Sequence, residues 1–137
     1  MKLVVRLVSA PRIVFVLALF FVAQFVASGA QVREHDANWI VPPDAAGKLN
    51  PLANRLEVEL GGRKIFHRRC ASCHGEDGSG SPKAPDITDF RVQSQSDGAL
   101  YWKISGGNAH KGMPTFSFLP ELQRWQLVLH IRTLATP

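Results

Sequence analysis

RRCASCHGEDGSG, residues 68–80, holds the only two cysteines of a 137-residue chain, Cys70 and Cys73, with His74 directly after the second. Three uses of the two sulfurs compete: a disulfide, a metal site and a point of covalent attachment. A disulfide closing a two-residue gap would restrain almost none of the unfolded chain, so a structural staple is a poor explanation. Zinc needs four ligands, commonly two Cys-x-x-Cys pairs or Cys and His pairs at suitable spacing. This chain has one pair and no later His pair at that spacing. A thioredoxin-like redox pair requires a βαβ setting, and no strand pattern precedes Cys70.

Cys-x-x-Cys-His is the attachment signature for c-type haem. Each thiol adds across one haem vinyl group to form a thioether. Two sulfurs three residues apart, on one turn of chain, match the separation of the two vinyls. His74 is then carried under the ring plane, where its imidazole can bind the iron. A second axial ligand is expected, and His/Met is a known pairing. Apart from the initiator, Met113 is the sole methionine of the chain, in the loop Gly112-Met113-Pro114. A lone Met is ordinarily core filler. Here it is hemmed by Gly and Pro in a loop, far enough along the chain from His74 to reach the other haem face. His110 is the competing ligand.

Helical periodicity surrounds the motif. Val58, Gly62, Phe66 and Cys70 recur every four residues, which predicts a helix from about Leu56 to Arg69. Gly62 inside that helix costs about 1 kcal/mol against Ala, which makes sense if another helix must approach closely. GEDGSGSPKAP, residues 75–85, and GGNAHKGMP, residues 106–114, read as loops. Asp97–Ser105 reads as a short helix with Leu100, Tyr101 and Ile104 on one side. Leu119–Leu134 reads as the last helix, with Pro120 in its first turn and Leu127, Val128, Ile131 and Leu134 as its apolar face. No strand pattern or internal repeat is evident. The class is all-α, with loops too long for about 80 residues to bury much apolar surface alone. A haem disc in the core would answer that shortage.

Upstream, Lys2, Arg6 and Arg12 precede the apolar run IVFVLALFFVAQFV, residues 13–26, and Ser28 and Ala30 are placed like the small residues of a cleavage site. Residues 1–30 therefore read as a secretory signal, cut after Ala30. The 14-residue run is shorter than the roughly 20 apolar residues that span a bilayer, and an uncleaved anchor is the rival. Three of the 16 Lys and Arg and none of the 11 acidic residues lie in 1–30. Cleavage would leave 13 basic against 11 acidic side chains and lower the net charge from +5 to +2. No Lys/Arg stripe remains to suggest nucleic acid. Residues 31–55, with three prolines and no periodicity, read as an extended arm or linker, with Trp39 and Ile40 docking on the domain. Residues 56–137 form the domain proper.

Residues from about 56 to 135 resemble class I cytochromes c, the small monohaem electron carriers of periplasm and mitochondria. Gly62-x3-Phe66-x3-Cys70 is similar to the family's first helix running into the haem site. In APDIT, Pro85 and Ile87 match its proline and haem-contact residue. LYWKISGG, with Tyr101 and Ile104, matches the helix walling the distal side. Gly112-Met113-Pro114-x-Phe116 matches the sixth-ligand loop, and RWQLVLHIRTLA the last helix. The resemblance implies the class I cytochrome c fold, three to four short helices and long loops around one covalently bound haem c. It implies that the Pro85 carbonyl accepts a hydrogen bond from His74. The family usually has Tyr where this chain has His130. A somewhat weaker contact between the first and last helices is expected there, with packing rather than pH sensing as the role of His130. His67 and His35 read as exposed, and Arg68 and Arg69 as solvated surface.

With nitrogen and thioether ligands the iron would stay six-coordinate in both oxidation states. No acid/base pair or activated nucleophile is visible. The expected function is one-electron transfer in the periplasm or another exported location, not catalysis. Expected donors are a quinol-oxidising complex or a dehydrogenase, and expected acceptors a terminal oxidase or reductase. The alternative is a haem c subunit held permanently in such a complex; the membrane is involved directly only if the signal is uncleaved.

Overall fold

The computed structural model describes residues 39–135, all within the compact unit that spans residues 33–137. The expected signal, residues 1–30, and His35 lie outside the described residues. Among the described residues the chain is helical, with six α-helices and no strand. They are α1 (Pro43–Ala46), α2 (Glu59–Arg69), α3 (Ala71–His74), α4 (Phe90–Gln93), α5 (Asp97–Gly106) and α6 (Glu121–Thr133). Two 3-10 turns, Leu56–Val58 and Ala109–Lys111, precede α2 and follow α5. No described helix is long and apolar enough to cross a membrane.

The principal packing contact is between α2 and α6. It exists because of Gly62. A Cβ at that position would stand 2.0 Å from the Gln126 carbonyl oxygen and 2.5 Å from its carbon. Gly62 is therefore a contact point between two backbones, as its place inside a helix suggests. Around it Phe66, Leu127 and Val128 are fully buried. Together with Ile65, Trp125, Ile131 and residues of α5 they form one apolar cluster.

His130 sits in this interface, 4 % exposed. Its ring packs edge-on against Phe66, centroids 5.1 Å apart, and its Nδ1 lies 2.6 Å from Glu59 Oε1. The smaller ring thus keeps an aromatic contact and adds a polar tie between two helices distant in sequence. His67 is exposed and hydrogen-bonds Glu76.

The middle helix α5 begins at an N-cap: the Ser96 hydroxyl accepts from Ala99 N–H at 3.2 Å. It ends at Gly107, whose positive φ of 64° turns the chain out of the helix. Tyr101 stacks on Trp125 of α6, centroids 4.0 Å apart. Arg132 of α6 ties down the other end, donating to Asp97 Oδ1 at 2.8 Å and to the carbonyls of Gln93 and Gln95. Helix α6 starts at Glu121, slightly later than its periodicity suggests. Pro120, with an extended ψ of 146°, stands just outside it as the flanking cap residue.

The stretch 39–55 is not extended throughout. The rings of Pro42 and Pro43 restrict φ to values that suit the first turn of a helix as well as extended chain. Here Pro43 opens the one-turn α1, which packs on α5. Trp39 docks, with the Lys103 ammonium 4.8 Å from its ring centroid. Ile40 does not; it is 76 % exposed.

Candidate haem site

Cys70 stands at the joint where α2 ends and α3 begins, with φ −116° and ψ −38°. Its N–H continues the ladder of α2 to Phe66 O at 2.8 Å, and its carbonyl accepts from Cys73 and His74 N–H at 3.0 and 2.9 Å. Cys70–His74 is thus one tight turn carrying both sulfurs and the imidazole. Both cysteines are free thiols and half-buried. Burial, aided by the neighbouring Cys73, pushes the Cys70 thiol up to about 11, so it keeps its proton at neutral pH.

The loop after His74 folds back on it. Gly80 N–H donates to His74 O at 2.8 Å, and Ile87 N–H to Gly78 O at 2.9 Å. Gly80 has φ +87°, and a Cβ there would stand 2.7 Å from Asp86 N and 2.9 Å from Pro85 C. Only glycine allows this return, and the return delivers the Pro85 carbonyl to within 3.1 Å of His74 Nδ1. Nδ1 is then the protonated nitrogen, and Nε2 keeps the lone pair. Burial lowers the pKa of His74 against the smaller opposing effect of the Pro85 hydrogen bond. A neutral imidazole with one nitrogen anchored and the other free is the state a metal ligand needs.

The loop after α5 is equally constrained. Asn108 and Met113 exchange two backbone hydrogen bonds, 2.9 and 3.0 Å, across the turn Ala109–Lys111. Gly112, with φ +83°, closes it. Met113 is half-buried against the apolar cluster, whereas His110 is exposed at the turn. Phe116 N–H donates to Ile104 O at 3.2 Å, and Thr115 Oγ1 to Ser105 O at 2.6 Å.

The cluster that takes in Met113 also takes in Cys70, Ile87, Tyr101, Ile104 and Phe116. One sulfur of the attachment turn, the methionine and the apolar residues picked out in the sequence therefore meet in one core. Pro85 itself is exposed beside His74. No group of three or more His, Cys, Asp or Glu able to hold a bare metal ion occurs among the described residues. The donors are the His74 imidazole and three sulfurs, of which Cys70 and Met113 pack on the apolar cluster and Cys73 does not. That set fits a large apolar ring with a central iron, and the residues present fit haem c.

Two features escaped the sequence. Glu59 is the partner of His130, and nothing local couples positions 71 apart. Arg124 donates to Ser105 Oγ at 2.6 Å and lies 4.7 Å over the Tyr101 ring; no local signal in the sequence couples these positions.

The family model described as cytochrome c oxidase, cbb3-type, subunit III matches residues 59–131. The match begins at the first residue of α2, ends within α6 and takes in both the attachment turn and the Met113 loop. It covers just over half of the chain. No curated protein matches the sequence.

Proposed function

The chain belongs to the family of c-type cytochrome domains described as cytochrome c oxidase, cbb3-type, subunit III, and from this we propose that it is a one-electron carrier in which His74 and Met113 would ligate the haem iron. Haem c, when bound, supplies a reversible Fe(III)/Fe(II) couple. Cys70 and Cys73 would hold it through thioethers, so that it is not lost outside the cytoplasm. Pro85 fixes the His74 ring through Nδ1 and leaves Nε2 for the iron. Ile87, Tyr101 and Ile104 line the apolar surroundings, which exclude water and favour the less charged, reduced state. With His74 and Met113 both on the iron no position would stay open for substrate, which supports a carrier rather than an enzyme. The observation that carries this reading is the pairing of a tethered, neutral His74 with a Met113 that packs on the same cluster as Cys70.

In this reading residues 1–30 export the protein, residues 31–55 form a segment ahead of the domain, and 56–137 are the haem domain. Electrons arrive from a quinol-oxidising complex or a dehydrogenase and leave to a terminal oxidase or reductase. A second reading has one observation in its favour. The matching family is described as an oxidase subunit, which favours a haem c subunit held permanently in a respiratory complex. Size-exclusion chromatography of detergent-treated whole-cell extract, which retains soluble and membrane proteins alike, separates the two. A carrier elutes alone, whereas a subunit elutes with oxidase activity.

Spectroelectrochemical titration of the haem-loaded protein tests the function. The expected result is a reversible one-electron wave and a reduced form that does not bind carbon monoxide. A reduced form that binds carbon monoxide readily would point to an open iron and to catalysis or sensing.

A further inference from the structure

The segment ahead of the haem domain makes contacts that a linker does not need. Ala45 and Asn50 are buried. The Ser96 hydroxyl donates to Ala46 O at 2.6 Å while it caps α5 by accepting from Ala99. A Cβ on Gly98 would stand 2.3 Å from Ala45 O, 2.8 Å from Lys48 O and 2.9 Å from Lys48 N. The backbone of residues 45–48 therefore lies directly on the backbone of α5, at a point only glycine permits. Higher on the same helix, Lys103 is 8 % exposed and its ammonium sits over the Trp39 ring. Residues 39–50 thus run along α5 as a strap, with Trp39 at one end and the Ala45–Lys48 turn at the other.

Helix α5 is about 15 Å long by its rise per residue, and its far end holds the sixth-ligand loop. Ile104 and Ser105 carbonyls accept from Phe116 N–H and Thr115 Oγ1. A Cβ on Gly107 would stand 2.4 Å from Pro114 O, next to Met113. Helix α5 also rests on α6 through the Tyr101–Trp125 stack. The helix is thus held by both α6 and the strap, and the Met113 loop hangs from it.

We propose that residues 39–50 are a positioning strap for the sixth ligand: by clamping α5 through Gly98, Ser96 and Lys103, they hold the Met113 loop in place. The inference rests on the His74/Met113 reading. Loosening the strap lowers the cost of moving and locally opening α5, and the loop that hangs from it moves with it. The residues concerned do not touch the iron site; they act through α5.

Two variants of the full, haem-loaded chain test this. Gly98→Ala puts a methyl into the strap contact but raises the helix propensity of α5, so a purely local effect and a strap effect have opposite signs. Trp39→Ala removes the contact from the strap side and leaves the sequence of α5 unchanged. The first readout is the rate at which ferric protein binds cyanide, which requires Met113 to leave. The second is amide hydrogen exchange over residues 99–116 compared with α2 and α6. The expected result is cyanide binding about tenfold faster in both variants, equivalent to roughly 1.4 kcal/mol, with faster exchange confined to 99–116. Unchanged rates and exchange in both variants would overturn the strap. If the parent already binds cyanide at once, the His74/Met113 reading has failed instead. The strap is then judged by exchange over 99–116 alone, and unchanged exchange there overturns it.

Discussion

Gly62→Ala is the smallest change that tests how α2 and α6 meet. The added methyl would stand 2.0 Å from the Gln126 carbonyl oxygen, where ordinary contact begins at 3.4 Å, so the helices must part. The obstacle is backbone, and no rotamer change relieves it. Opening a packed interface by about 1 Å already forfeits up to about half of the dispersion attraction across it. The side chains that lose it are Phe66, Leu127 and Val128, the best-buried of the core. Overpacking by one carbon costs roughly 1–3 kcal/mol, and a backbone clash belongs at the upper end. Against this, Ala gains up to about 1 kcal/mol of helix propensity over Gly. The net expectation is a loss of about 2 kcal/mol. Guanidinium unfolding of the haem-loaded protein, followed by far-ultraviolet circular dichroism, measures it through a lower midpoint at unchanged slope. A variant as stable as the parent, or more stable, would mean that the helices do not cross at Gly62.

Three further outcomes follow from the same packing. Glu59→Ala leaves the buried His130 Nδ1 with only the longer 3.4 Å contact to Thr133 Oγ1 and should cost about 1–3 kcal/mol in the same unfolding assay; His130→Phe in that background should recover part of the loss. Arg132→Met removes three hydrogen bonds to the α4–α5 connection and should speed amide exchange at residues 93–100 before any other segment. Gly80→Ala forces an L-residue to φ +87° and against Asp86 N, at a cost of at least about 1–2 kcal/mol. It should loosen the Pro85 hold on His74, seen as a changed imidazole resonance in the proton NMR spectrum of the ferrous protein.

The parts of this fold that sequence makes visible are the local ones. Cys70, Cys73 and His74 are one turn of chain, so the haem-attachment reading rests on their spacing alone. Helices α2, α5 and α6 each carry more than two turns of periodic apolar residues, and Gly62 stands out as a costly residue kept inside one of them. The one-turn helices α3 and α4 are too short to show a period. Helix α1 is hidden by its prolines, which suit extended chain and a helix start alike. Its docking depends on Ser96 and Gly98, far along the chain, and such pairings have no local trace. The same is true of Glu59 and His130. The position of Pro85 against His74 is legible only through the family resemblance, because it depends on a loop return that Gly80 permits.

The most direct test of the His74/Met113 haem is the near-infrared absorption spectrum of the ferric, haem-loaded protein beside its Met113→Ala and His110→Ala variants. The expected result is the weak band of iron–methionine sulfur ligation in the parent and in His110→Ala, and its loss in Met113→Ala. A parent without the band and with a high-spin spectrum, or a band that survives Met113→Ala, would contradict the assignment.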